Sequence, residues 1–391
     1  MSHPESGFIQ SIHHIKVDYD PKTYCGHPRQ CGMKNFGNGE LAVLYWRAPC
    51  NYETEKDVSH SQADGYQSRA KAILRRSLDH GQTWLPENDV VVWDETKPVA
   101  ERMRFLGQDP AGRELLDMSV PEAMYFFGRT TIFRPDPTTG RNMMCEPVFL
   151  IRSADKGHTW ERVPVTIPPP PGMTSILKDN HPLATLPDGA VVGAFTAGQP
   201  GSVWLYGSEN YGMTWQCLSR IAVDKAGAGR PTYANLILLP SGRLQCYMLM
   251  LSGGFHALCM SESDDCFTWS EPRPIVRYGH GPWATRWEAG AHRGVLYRSP
   301  WPLRLRDGRI VVVFARREYP AGIAALLSED DGKTWSDAAI IRDDASGGDL
   351  GYPVATELDD GRIFTAYYYQ LQDGNRFDGT RFIGGSFFAL R

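Results

Sequence analysis

The sequence predicts an all-β fold, a six-bladed β-propeller, and three observations carry that expectation. The first is an eight-residue phrase that returns along the chain: Ser77-Leu-Asp-His-Gly-Gln-Thr-Trp84, Ser153-Ala-Asp-Lys-Gly-His-Thr-Trp160, Ser208-Glu-Asn-Tyr-Gly-Met-Thr-Trp215, a damaged copy from Ser261 to Trp269, and Ser328-Glu-Asp-Asp-Gly-Lys-Thr-Trp335. A recurring period of this length marks stacked supersecondary units, none of which can bury its faces alone. The second is a set of x-Gly turns between apolar runs: Asn38-Gly39, Thr139-Gly140, Asp188-Gly189, Ser241-Gly242, Asp307-Gly308 and Asp360-Gly361. Six such hairpins imply six blades. The third is composition: 39 Gly and 28 Pro beside 42% apolar residues suit a chain of many short strands and turns.

Each element follows from local chemistry. In the repeated phrase, Asp or Asn bonds its own backbone two residues on and Gly takes the positive φ of the turn. The closing Trp offers a large apolar face to the next unit. These aspartates therefore read as structural. The last hairpin is followed by Arg381-Phe-Ile-Gly-Gly-Ser-Phe-Phe-Ala-Leu and leaves its blade one strand short. Residues 8–17 precede the first hairpin and are expected to supply that outer strand, which closes the ring and removes its open edges. The whole chain, 1–391, then reads as one propeller domain. Three segments exceed what the blades need: 93–119, 163–180 with its Pro168–Pro171 run, and 277–297, which holds Trp283, Arg286, Trp287, Glu288 and His292. Long connectors of this kind are usually functional.

Net charge of −4 supplies no electrostatic footprint for nucleic acid or a membrane surface, and no apolar run approaches a membrane span. The eight Cys form no CxxC pair or metal spacing, so no metal or organic cofactor is implied. Scattered thiols and an N-terminus without a signal pattern point to the cytoplasm. Homo-oligomerisation stays open.

The starts of the inner strands should meet in one funnel. Counting back from each hairpin Gly finds Arg29, Arg129, His181, Tyr233, Arg298 and Tyr352, every one Arg, His or Tyr. Three Arg among such residues make an anion-binding cup, because the guanidinium fork matches carboxylates. Arg230, in the same stretch as Tyr233, joins this substrate-binding set.

The Ser-x-Asp-x-Gly-x-Thr-Trp turns are those of Asp-box, or BNR-repeat, proteins, and the whole chain resembles the six-bladed sialidase superfamily. The resemblance implies a glycosidase acting on a carbohydrate. It places Arg29 as the first Arg of a carboxylate-binding triad, Asp64 as acid/base, and Tyr352, in Asp349-Leu-Gly-Tyr-Pro, as nucleophile. The chain departs from the family in Arg230-Pro-Thr-Tyr-Ala, where the family keeps a Glu that activates the Tyr, and near Met248 to Met250, where the second triad Arg would fall. The third triad Arg could be Arg316, Arg317 or Arg298. A retaining, exo-acting hydrolase of an acidic or highly hydroxylated sugar is therefore expected. A phenol of ordinary pKa needs a base, for which Glu288 and Glu122 are candidates. Two alternatives are a lyase using His181, Tyr233 and Tyr352 on a uronate, and a propeller that binds carbohydrate without turnover. The convergent polar ring favours an enzyme over the binding module.

Overall fold

A computed structural model describes residues 7–28, 32–61, 63–102, 116–130, 132–135, 140, 142–145, 147–173, 176–178, 183–198, 201–223, 225, 230–252, 255–278 and 297–391. Six antiparallel sheets form the blades of a propeller. In the regular pattern an x-Gly turn joins the inner to the second strand, and the Asp-box joins the third to the outer strand. Blade 4 shows it in full: Arg230–Leu238, Leu244–Ser252, Phe255–Ser263 and Arg273–Tyr278, from the axis outwards. Blade 5 repeats it with Tyr297–Arg304, Ile310–Arg316, Gly322–Ser328 and Ala339–Arg342. Continuous apolar runs suit strands covered on both faces, and Ile310 to Ala315 are fully buried between neighbouring blades.

The ring closes as the sequence predicts. Blade 6 runs Gly351–Glu357, Ile363–Leu371, Thr380–Leu390, and its outer strand is the N-terminal Ile9–Asp18, antiparallel to Thr380–Leu390 with Ile9 opposite Leu390. A charged clasp then ties this strand to blade 1. The buried Asp18 carboxylate lies 3.1 Å from Arg75 Nη1 and accepts from the Tyr45 hydroxyl at 2.7 Å. Arg75 also donates to Val17 O and, through Nε and Nη2, to Asp89.

The Asp-boxes are turn locks. Ser77 Oγ donates to Asp79 Oδ1 at 2.7 Å, and the Thr83 N–H and hydroxyl donate to Asp79 at 2.9 and 2.6 Å. Trp84 Nε1 donates to Gly81 O at 2.8 Å. The same pattern returns at Ser153, Ser208 and Ser328. The damaged copy begins at Ser263, two residues later than the sequence pattern suggests. Ser263 Oγ bonds Asp265 and Thr268 N–H reaches the same carboxylate at 2.7 Å, with one residue deleted where the Gly would stand. Trp269 accordingly finds Ser219 Oγ instead of a glycine carbonyl.

Blade 2 corrects one expectation. From the sequence, Thr139-Gly140 reads as the turn after an inner strand. The described strands are Met124–Arg129, Val148–Ser153 and Val165–Thr166, and Met124–Arg129 pairs with the strand that leads into the Asp-box. It is therefore a second strand, extended by the Ile132–Pro135 and Asn142–Cys145 ladder that Gly140 helps to close. Arg129 ends that strand and does not start an inner one. Among the described residues no helix is long and apolar enough to cross a membrane.

Candidate active site

Three inner strands carry the same irregularity at the same height. Between Thr232 and Asn235, between Arg298 and Trp301, and between Gly351 and Val354, the strand holds one residue more than its partner. Each bulge contains a non-glycine residue in the left-handed region: Tyr233 at φ 55, Ser299 at φ 51 and Tyr352 at φ 51. Such conformations cost about 1–3 kcal/mol each and persist where the surrounding fold over-determines them, most often at functional sites. Here the bulges re-aim side chains. Gly351, at φ 119, is required beside one of them, because an added Cβ would come within 2.3 Å of the Ala315 Cβ.

The result is a buried cluster around Tyr352. Its hydroxyl lies 2.8 Å from the Tyr233 hydroxyl, with the two rings edge to face at 5.5 Å. Arg298 Nη1 donates to Tyr233 Oη at 2.5 Å and to Tyr352 Oη at 3.4 Å. Arg298 Nε is buried without a hydrogen bond, and no carboxylate pairs with this guanidinium among the described residues. Burial pushes the Tyr352 phenol well above its ordinary value and the Tyr233 oxygen adds to that, while Arg298 and Arg317 pull it down. The resting hydroxyl is therefore neutral.

A second layer lies against Tyr352. The edge of the buried His27 ring, itself at φ 58, meets it at 4.5 Å, and His27 Nδ1 is hydrogen-bonded to the Tyr66 hydroxyl. Burial and then the nearby His60 hold His27 well below the usual imidazole range, so it is neutral. Tyr368 packs on Tyr352 and donates to Asp349 Oδ1 at 2.8 Å. Asp349 also accepts from Tyr24 at 2.9 Å and Arg381 at 3.0 Å, and it meets His60 Nε2 at 3.1 Å. Arg317 donates to Leu350 O and to Tyr368 Oη, the latter at 2.6 Å.

The structure thus brings together Tyr233, Arg298 and Tyr352 from the sequence-derived ring. Arg129 stands near enough to act electrostatically on His27. Arg29, His181 and Glu288 lie outside the described residues. Asp64 is 57% exposed in an ion pair with Lys56, and among the described residues none of its contacts reaches the tyrosines. Arg230 is exposed at the start of its strand, with its stem over Gly201. Glu122 acts electrostatically on Lys34. The residues that sequence reasoning missed are His27, His60, Tyr368 and Asp349. Only Asp349 had a signal, three places before Tyr352. A cavity of about 480 Å³ lined by Met33, Lys34, Met124, Leu183 and Trp301 includes none of the cluster. The convergence of Arg, Tyr, His and Asp makes the cluster the candidate site.

Comparison with known proteins agrees with this architecture. A family described as BNR repeat-like domain matches residues 131–365, more than half the chain, and the protein belongs to that family. No curated protein matches it. A protein of unknown function from Dyadobacter fermentans DSM 18053 superposes with a TM-score of 0.72 at 20% identity, covering 98% of this chain and 99% of that one. The Hadza microbial sialidase Hz136 gives 0.58 at 18% identity over 93% of this chain and 65% of its own. The NanB sialidase from Streptococcus pneumoniae gives 0.53 at 13% identity, covering 99% and 71%. At these identities the likeness is one of fold, the six-bladed β-propeller described above.

Proposed function

We propose that the protein is an exo-acting, retaining glycosidase of the sialidase superfamily that takes an anionic or highly hydroxylated sugar. One observation carries the reading: Arg298 presents a buried, unpartnered Nε and no carboxylate partner among the described residues, while its Nη1 holds the hydroxyls of Tyr233 and Tyr352. A buried guanidinium with no carboxylate partner among the described residues suits an anionic ligand, which would replace lost water with a bidentate contact. Arg129 adds positive potential, and Arg29 and His181 are assigned to the same cup through their places in the sequence. Tyr352 is the proposed nucleophile. A neutral phenol does not repel an anionic sugar, and Arg298 stabilises the phenolate that attacks and is released again when the bond to Tyr352 breaks.

A second reading is favoured by the phenol that stands where a carboxylate base is expected. Burial and Tyr233 keep Tyr352 protonated, which suits a proton donor in β-elimination from a uronate. Turnover of a glycoside library with product analysis separates the two. Hydrolysis with retention, abolished by Tyr352→Phe, supports the first; an unsaturated uronate product moves the protein to the lyases; binding without turnover of any glycoside leaves a carbohydrate-binding propeller.

A further inference from the structure

The loop that precedes the first Asp-box carries Asp64, yet it delivers a different side chain to the cluster. His60 Nε2 stands 3.1 Å from Asp349 Oδ1 and 2.8 Å from the Tyr24 hydroxyl. Asp349 is held well below the usual carboxylate range: burial alone would push it up, and His60, Arg381 and Arg317 outweigh that. An ionised carboxylate makes Nε2 the protonated nitrogen and leaves Nδ1 as the atom that exchanges a proton. The His60 ring packs against His27 at 4.8 Å on one side, and Tyr352 meets the same His27 ring at 4.5 Å. With 37% of its side chain exposed, His60 sits where the buried cluster opens to solvent.

We infer that His60 is the acid/base of the glycosidase reaction proposed above, with Asp349 as its positioning residue, in place of Asp64; the inference rests on that reading. The reaction starts from the form in which the Tyr233–Tyr352 pair has lost one proton and both ring nitrogens of His60 carry one, so no outside base is needed. As Tyr352 Oη bonds to the anomeric carbon, the bond from that carbon to the leaving oxygen breaks. The leaving oxygen keeps the electron pair and takes the proton from His60 Nδ1. In the second half Nδ1 takes a proton from water, the water oxygen bonds to the anomeric carbon, and the bond to Tyr352 breaks.

The test is the dependence of rate on the leaving group, with the sugar found by the library screen. His60→Asn should lower turnover of an alkyl-linked sugar about 10²- to 10⁴-fold, and that of an aryl glycoside with an acidic phenol less than tenfold. Asp349→Asn should show the same dependence more weakly. A merely structural role would depress both substrates equally, and that result overturns the inference, as does a leaving-group dependence found in Asp64→Asn instead. Independently of any substrate, ¹⁵N-histidine spectra of the full chain should show His60 as the Nε2–H tautomer; the Nδ1–H tautomer overturns the assignment. If no glycoside is cleaved by the unsubstituted protein, or if Tyr352→Phe keeps full turnover, the glycosidase reading itself has failed. Failure of His60→Asn alone leaves that reading standing.

Discussion

The Tyr352 hydroxyl is hydrogen-bonded to the hydroxyl of Tyr233 across two blades, at 2.8 Å. One phenol thus occupies the place beside a second phenol where a carboxylate would have acted as base. Tyr233 also raises the Tyr352 pKa, after burial. Tyr233→Phe should therefore let Tyr352 ionise at lower pH than in the unsubstituted protein, though still above the ordinary value because burial remains. Site-resolved ¹³C-tyrosine spectra across an alkaline titration read this directly, and an unmoved titration would contradict the pairing.

Gly351 tests the bulge. At φ 119, with Ala315 directly over it, Gly351→Ala should cost about 1–3 kcal/mol in folding stability. Because Tyr352 is the next residue, turnover should fall more than the loss of folded protein explains. Denaturant unfolding and turnover at equal folded concentration separate the two effects.

Arg152 and Glu161 form a fully buried pair, Nη2 to Oε2 at 2.9 Å, behind the second Asp-box. Removing one partner leaves the other charged and dry, so Glu161→Ala should destabilise by about 3–5 kcal/mol. Replacing both by apolar residues should recover part of that loss. Chemical denaturation of the single and double variants measures it.

The Asp-box carboxylates give the protein an acid limit. Hydrogen bonds from Thr334 hold Asp330 down to about 2, and backbone N–H groups of Thr268 and Phe267 do the same for Asp265. Since these folded values lie below the unfolded value of about 3.9, their contribution is complete above about pH 4 and is lost as pH falls towards 2. The melting temperature should drop across that window, and Asp330→Asn should make the drop shallower. An equal slope in both proteins would count against the turn locks.

Much of the fold was legible because its signals are local. Hairpin turns and Asp-boxes act within eight residues, and together they yielded six blades and the closing N-terminal strand. Blade 2 was misread because Thr139-Gly140 has the chemistry of any hairpin turn, and that chemistry does not say which pair of strands it joins. The damaged Asp-box was misplaced because it is one residue short where the Gly would stand, which leaves Cys266, at φ 66, to make the turn. Counting back from the turns found Tyr233, Arg298 and Tyr352, since the bulge in each of these inner strands lies at a constant distance from its hairpin. The His60–Asp349 contact is made from opposite ends of the chain by a loop and a strand start, and no local periodicity encodes it. Tyr368 reads as one of three consecutive tyrosines, and only its register opposite Gly351 singles it out.

The strand Ile9–Asp18, clasped by Arg75, has a consequence for how the molecule comes into being. It is synthesised long before the neighbour it pairs with, Thr380–Leu390. At about 5–20 residues per second, the ribosome holds this strand without its partner for tens of seconds, with Ile9, Ile12, Ile15 and Val17 open to any passing edge. Lys16 and the histidine pair His13-His14 punctuate that run and keep it from being an uninterrupted adhesive stripe. The strand thus stays unprotected throughout the synthesis of the blades between, until the one that claims it arrives.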